Sequence, residues 1–274
     1  MRKNKSALFS VPYILWMALF TLIPLGVVAY YALTDPETGA FTWGNILELG
    51  TYLPVFGQSI LYSLASALIC LLLGYPVAYY IAHRGPVVQK LLYMLVMLPM
   101  CMSFLLRTLA WVGLLQDTGI INNLLEAVGL SRVKLIRTPA AVILGMVYNY
   151  LPYMILPLYA IIVKIDHRLI EAAEDLGCTP VQTFIKVVLP LSTPGIVSGI
   201  TMVFVPAVST FYISQKLGGA GTVLIGDIIE RMFKQGNNAN LGAALSLLLM
   251  ILVFVCTGIM NKLTGSDGED VVIV

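Results

Sequence analysis

Three carboxylates, Glu171, Glu174 and Asp175, stand beside Ala172 and Ala173 in the run EAAEDLGCTPVQTFIKVVLP. Leu169, Ala172, Ala173 and Leu176 recur at helical spacing, so a short helix here has one small apolar face and one acidic face. The chemistry such a helix offers is recognition, as a smooth ridge suited to docking in a partner's groove. Gly177 stops the helix, because glycine tolerates the left-handed conformation that a C-cap often requires. Thr179, Pro180 and Gln182 then read as N-cap, first helical position and capping-box partner of a second helix, which Pro190 closes. The competing reading is an amphipathic helix lying on a membrane surface. Such helices usually carry lysine and arginine on the polar face, whereas this one carries carboxylates.

The remaining residues capable of chemistry are scattered. Cys70, Cys101, Cys178 and Cys256 are isolated, with no C-x-x-C pair, and read as small core residues. His83 and His167 lie beside loop charges, and without an H-E-x-x-H or a His/Cys cluster neither a metal site nor a cofactor is expected. The glycine cluster Gly218, Gly219 and Gly221 lacks the lysine and preceding strand of a phosphate loop, so the chain is not expected to hydrolyse ATP alone. An intramembrane enzyme needs ionisable groups at depth, yet the spans contain only Arg107. That arginine is expected to snorkel or to pair with a loop carboxylate, with a gating role as the alternative. Channels and proton-coupled carriers would show intramembrane carboxylates or filter-like repeats. A passive path driven by a separate motor fits better.

The elements that position these residues follow from composition. Hydrophobic residues make up 59% of the chain, charged residues 11%, and mean hydropathy is +0.90. Soluble domains are about one-quarter charged, so this is an integral membrane protein of all-α class. A net charge of +2 gives no reason to expect nucleic-acid binding. Spans of about twenty apolar residues are expected near Pro12 to Leu33, Phe56 to Ala82, Leu91 to Leu115, Ala140 to Val163, Pro194 to Ser214 and Leu241 to Asn261. A cleaved signal peptide is a poorer reading of the first, whose apolar run is too long and lacks an A-x-A site. Arg2, Lys3 and Lys5 precede that span and no basic residue lies between Thr34 and Val55, which places both termini and the acidic loop in the cytoplasm. The expected division is an N-terminal helix with its outer loop (1–55), a five-helix core (56–261) containing the loop 164–193, and a cytoplasmic tail (262–274) disordered near its start. Pro76, Pro99, Pro152, Pro157 and Pro206 lie mid-span, as hinges along a pathway or as ordinary kinks.

The 171–190 segment resembles the EAA loop of ABC-importer permeases, matched at Glu171, Ala172, Ala173, Gly177, Val187, Leu189 and Pro190, with valine where isoleucine is usual. Most of the chain also resembles the B-type permease subunits of spermidine/putrescine ABC importers. Leu73-Gly74-Tyr75-Pro76, Thr138 to Ile143, Leu151-Pro152-Tyr153, Pro157-Leu158-Tyr159, Phe211 to Ser214, Leu217 to Ala220 and Leu224-Ile225-Gly226 carry the likeness. It implies a MetI-like, type I importer fold in the plasma membrane. The implied partners are two ABC ATPase subunits, a C-type permease and an extracytoplasmic polyamine-binding protein. The implied coupling residues are Glu171, Ala172, Ala173, Glu174, Asp175, Gly177, Leu189 and Pro190. For a polyamine route, π-faces from Tyr148, Tyr150, Tyr153, Tyr159, Phe211 and Tyr212 would attract ammonium groups. Asp227 and Glu230, and more weakly Asp117, would draw the cation in from outside. The competing readings are helix packing or an interfacial belt for the tyrosines, and a solvated face or a binding-protein contact for the acids. The same machinery could serve thiamine, iron or another small solute, and a membrane assembly protein that recruits a soluble partner is the alternative class.

Overall fold

The computed structural model describes residues 12–36, 38–235 and 238–263. The expectations for Arg2, Lys3 and Lys5 and for the tail beyond residue 263 lie outside the described residues. Among the described residues, five helices are long and apolar enough to cross a membrane, and a bent pair, Pro180–Leu191 with Thr193–Val208, makes a sixth when counted as one span. The chain is therefore a multi-pass, all-α membrane protein. The extended pairing among the described residues is a single bridge between Thr34 and Phe41.

In chain order the helices are α1 (Pro12–Ala32), α2 (Leu53–Ala82), α3 (Pro86–Met97), α4 (Phe104–Leu115), α5 (Ile120–Ala127) and α6 (Pro139–Ile162). They continue as α7 (His167–Asp175), α8 (Pro180–Leu191), α9 (Thr193–Val208), α10 (Tyr212–Leu217), α11 (Ile225–Lys234) and α12 (Ala239–Leu263). The third span departs from expectation. Instead of one helix over 91–115, α3 tightens into a 3-10 turn at Leu98–Cys101, becomes extended at Met102 and restarts as α4 after Ser103. Pro99 has no N–H to donate to the carbonyl four residues back, and its ring crowds that carbonyl. The fifth span differs too, since α9 ends at Val208 and Tyr212–Leu217 forms a separate short helix.

Two compact units divide the chain. One comprises the described residues of 1–54 and 228–252. In it the Asn45 amide donates to the carbonyls of Ala32 (3.2 Å) and Thr34 (3.0 Å), satisfying the C-terminal end of α1. Asn240 also donates to the Thr34 carbonyl, and Ala32 packs on Ala243 and Ala244.

The other unit comprises the described residues of 55–227 and 253–274. Its centre is the crossing of α6 and α9. Gly195 and Gly199, four residues apart on α9, let the two backbones approach, as small residues do between membrane helices. A Cβ on Gly199 would lie 2.6 Å from Met154 Sδ, and one on Gly195 would lie 3.1 Å from the Pro157 carbonyl. On another side of α6, a Cβ on Gly145 would lie 2.5 Å from Leu217 of α10. Met146, Met154, Leu158, Val203, Ile213 and Leu217 are fully buried in this core.

Candidate functional site

The acidic loop has the local construction its sequence requires. The Asp166 carboxylate caps α7 by accepting from Arg168 N at 3.0 Å. At the other end Gly177 N donates to the Glu174 carbonyl (2.9 Å) and Cys178 N to the Ala173 carbonyl (3.0 Å). Those two bonds form a Schellman cap, and Gly177 takes the left-handed φ of +84° that it demands. A reciprocal capping box joins Thr179 and Gln182, with Pro180 at the first turn of α8. The helix closes at Leu191, one residue beyond Pro190, and a 64° bend leads into α9.

Burial divides this loop. Ala173 is buried, whereas Glu171, Ala172, Glu174, Asp175, Gly177 and Pro190 are exposed and Leu189 is half-buried. Leu176 is 87% exposed and Val181 67%, so the apolar face of the helical pair is only partly used within the chain. What holds the loop to the bundle is α8. The Phe184 ring stands edge-on to Tyr75 and Tyr79 of α2, with centroids 5.4 and 5.7 Å away. At the bend, the hydroxyls of Tyr75 and Ser192 are hydrogen-bonded at 2.7 Å. Beside this strut, a cleft of about 310 Å³ separates the first turn of α7 from the end of α2, with His83, Gln89, His167 and Ile170 in its walls. Sequence reasoning missed the strut. Its available signal was Tyr75 and Tyr79, spaced four apart on one helical face.

Two of the candidate path aromatics, Tyr212 and Tyr148, meet α4. Phe104 meets Tyr212 with ring centroids 6.3 Å apart, and Trp111 meets Tyr148 at 5.4 Å. Tyr150 approaches Tyr153 at 6.3 Å and donates its hydroxyl to the Pro206 carbonyl at 3.3 Å. Tyr150 is buried, while Tyr148, Tyr153 and Phe211 are more than a third exposed. Tyr159 is apart from this group, paired with Tyr93 of α3 at 5.3 Å. One π-face already holds a cation, since Lys216 Nζ lies 5.7 Å from the Tyr212 ring. Arg107 neither snorkels nor pairs with a loop carboxylate as expected. It is 6% exposed, and its Nε and Nη1 have no hydrogen-bond partner among the described residues.

The two proposed attracting acids are placed differently from expectation. Asp227 is 2% exposed, and its carboxylate accepts from Leu224 N at 3.0 Å, so it caps the start of α11 rather than facing solvent. Glu230 forms an ion pair with Lys234 one helical turn on. Asp117 is exposed. The glycine block before Asp227 is structural. The Gly221 carbonyl accepts from Gln58 Nε2 (2.8 Å), and Ile225 N donates to Ser59 Oγ (2.8 Å), pinning the block to the start of α2. A Cβ on Gly226 would lie 2.6 Å from the Thr210 carbonyl, so no larger residue fits there.

This arrangement can be set against known proteins. Residues 71–264 match the family described as binding-protein-dependent transport system inner membrane component. The spermidine/putrescine transport system permease protein PotB of Haemophilus influenzae is 38% identical over 253 residues, covering 88% of each chain. Among solved structures, a bacterial ABC transporter involved in import of the acidic polysaccharide alginate aligns with a TM-score of 0.75 at 20% identity, covering 97% of this chain and 98% of its own. The MetNI methionine ABC transporter in an inward-facing conformation aligns at 0.60 and 20% identity, covering 78% and 94%. At those identities the two structures speak for the fold alone.

Proposed function

The chain belongs to the family of binding-protein-dependent transport system inner membrane components, and from that premise we propose that it is the permease subunit of an ATP-driven polyamine importer. The observation that carries this reading is the exposed, doubly capped helix pair at 167–191, whose Phe184, together with Ser192 at the bend that follows, engages α2. Glu171, Ala172, Ala173, Glu174, Asp175 and Gly177 form the face that an ATPase subunit grips. Leu189 and Pro190 set the exit into the bundle. ATP binding draws two such ATPase chains together, the loop moves with them, and the Tyr75–Phe184–Ser192 strut passes the motion to α2 and α9. Hydrolysis belongs to the separate ATPase chain.

Spermidine and putrescine are proposed as cargo because of the similarity to the Haemophilus influenzae permease, and the aromatics around α4 suit alkylammonium groups. The partners are a second, C-type permease and a binding protein on the outer side; the termini and the loop face the cytoplasm. The proposed division remains residues 1–55, a core at 56–261 and a tail at 262–274. Reconstitution with the ATPase, the second permease and the binding protein tests the reading. Binding-protein-stimulated ATP hydrolysis should respond to spermidine or putrescine and not to thiamine or iron chelates. Stimulation by one of those other solutes alone overturns the cargo; no stimulation by any of them overturns the transport role.

A further inference from the structure

Arg107 is the one basic residue within the expected spans, and its environment is unusual. The side chain is 6% exposed, two of its nitrogens lack partners among the described residues, and neither ion pair found there includes it. A methionine or leucine would fill the same space without the cost of burying a charge. Charges at membrane depth are expensive and mark the route of a solute. The neighbours are the residues proposed for that route. One turn either side of Arg107 on α4, Phe104 touches Tyr212 and Trp111 touches Tyr148. On α6, the buried Asn149 amide turns back to its own helix, donating to the Gly145 carbonyl at 2.9 Å and leaving Oδ1 without a partner among the described residues. Helices α4 and α6, which pack together, thus each bury a polar side chain with atoms that lack partners among the described residues.

We propose that Arg107 is the electrostatic seal of the closed path, a fixed positive charge that excludes small cations when no solute is being moved. A cation route needs such a device. Aromatic faces suited to ammonium groups attract potassium and sodium as well, so a path lined by them leaks unless something repels cations at rest. A buried guanidinium among those aromatics does this, as arginines do in other selective pores. Unit charges about 5 Å apart at an effective dielectric of about 20 repel enough to lower cation occupancy on the order of 100-fold. The seal opens when the ATP-driven movement of the bundle parts α4 from α6 and water reaches the guanidinium. The inference deepens the import reading and rests on it.

The test uses the assembled transporter in sealed vesicles, without ATP or binding protein, and reads passive potassium and chloride flux. Arg107→Gln should raise potassium leak on the order of 100-fold, and Arg107→Lys should remain sealed. Equal potassium leak in wild type and Arg107→Gln overturns the proposal. So does an Arg107→Lys variant as leaky as Arg107→Gln, since that points to packing rather than charge. If Arg107→Gln fails to assemble, the wild-type vesicles decide, because a positive seal makes residual chloride flux exceed potassium flux and the reverse order sinks it. ATP-driven spermidine uptake, measured separately in the same vesicles, keeps the two readings apart. Arg107-dependent sealing without polyamine uptake retains the seal and removes the cargo; uptake with sealing independent of Arg107 does the opposite.

Discussion

The loop at 167–191 and the α6–α9 crossing are both rich in small residues, and they use them for opposite ends. In the loop, Ala172 and Gly177 leave a surface bare, and the fold is held by bonds between residues a few positions apart. In the crossing, Gly195 and Gly199 let Met154 and Pro157 approach from some forty residues away, and Gly195, Gly199 and Met154 are buried. The loop is stable by local rules and free to meet another protein. The crossing is stable only as a whole. Substitutions in the loop therefore report on coupling, while those in the crossing report on folding.

The sharpest separation comes from two glycines. In Gly199→Leu the new side chain would overlap Met154, whose sulfur already stands 2.6 Å from an added Cβ. The expected cost is at the upper end of about 1–3 kcal/mol, read as a lower unfolding temperature and reduced recovery from membranes. Gly177→Val forces a β-branched residue into a φ of +84° with open space around its Cβ. The strain is about 1–2 kcal/mol and confined to the turn. Membrane insertion should survive, while binding-protein-stimulated ATP hydrolysis falls on the order of tenfold or more. Normal coupled hydrolysis in Gly177→Val breaks the comparison from the loop side.

These expectations reflect what was legible in the chain. The caps of the loop were readable because Gly177, Thr179, Pro180 and Gln182 act on neighbours within four residues. The interruption of the third span was not, since Pro99 marks a weak point without saying whether the helix kinks or stops. The environments of Asp227 and Arg107 were illegible for the same reason. A carboxylate after a glycine-rich block reads equally as a solvent-facing acid or a buried cap, and only the docking of residues 221–225 on Gln58 and Ser59 decides it. The polar stretch 35–54 hid Asn45, whose bonds to the end of α1 depend on a fold-back of the chain.

The strut between the two regions should give intermediate effects. Phe184→Ala removes the ring that meets both Tyr75 and Tyr79. Because Phe184 is only half-buried, the stability loss should fall below the ~3–5 kcal/mol typical of a core phenylalanine. Transport should drop more than the ATPase rate, as force generated at the loop no longer reaches α2. Tyr75→Phe keeps the ring contact and deletes only the 2.7 Å bond to Ser192. Its cost is about 1 kcal/mol, with Ser192 still able to donate to the Leu189 carbonyl at 3.0 Å. A ratio of transport to hydrolysis that is unchanged in Phe184→Ala would remove the strut from the coupling route.

The smallest effect on the fold should come from Leu176→Ser, and that makes it the most informative probe of the loop's surface. Leu176 is 87% exposed, the neighbouring turn is set by backbone bonds from Gly177 and Cys178, and no side-chain packing of the isolated chain depends on it. The unfolding temperature should therefore correspond to a change within about 0.5 kcal/mol. An apolar side chain left so open is energetically neutral to the chain alone and favourable only when a partner covers it, where a buried leucine contributes about 1.5–3 kcal/mol. Retention of the ATPase subunits during detergent extraction should fall on the order of tenfold in Leu176→Ser. A destabilised chain with intact retention would mean that Leu176 faces this molecule's own bundle, and the line drawn between a bare loop and a packed crossing would have to move past it.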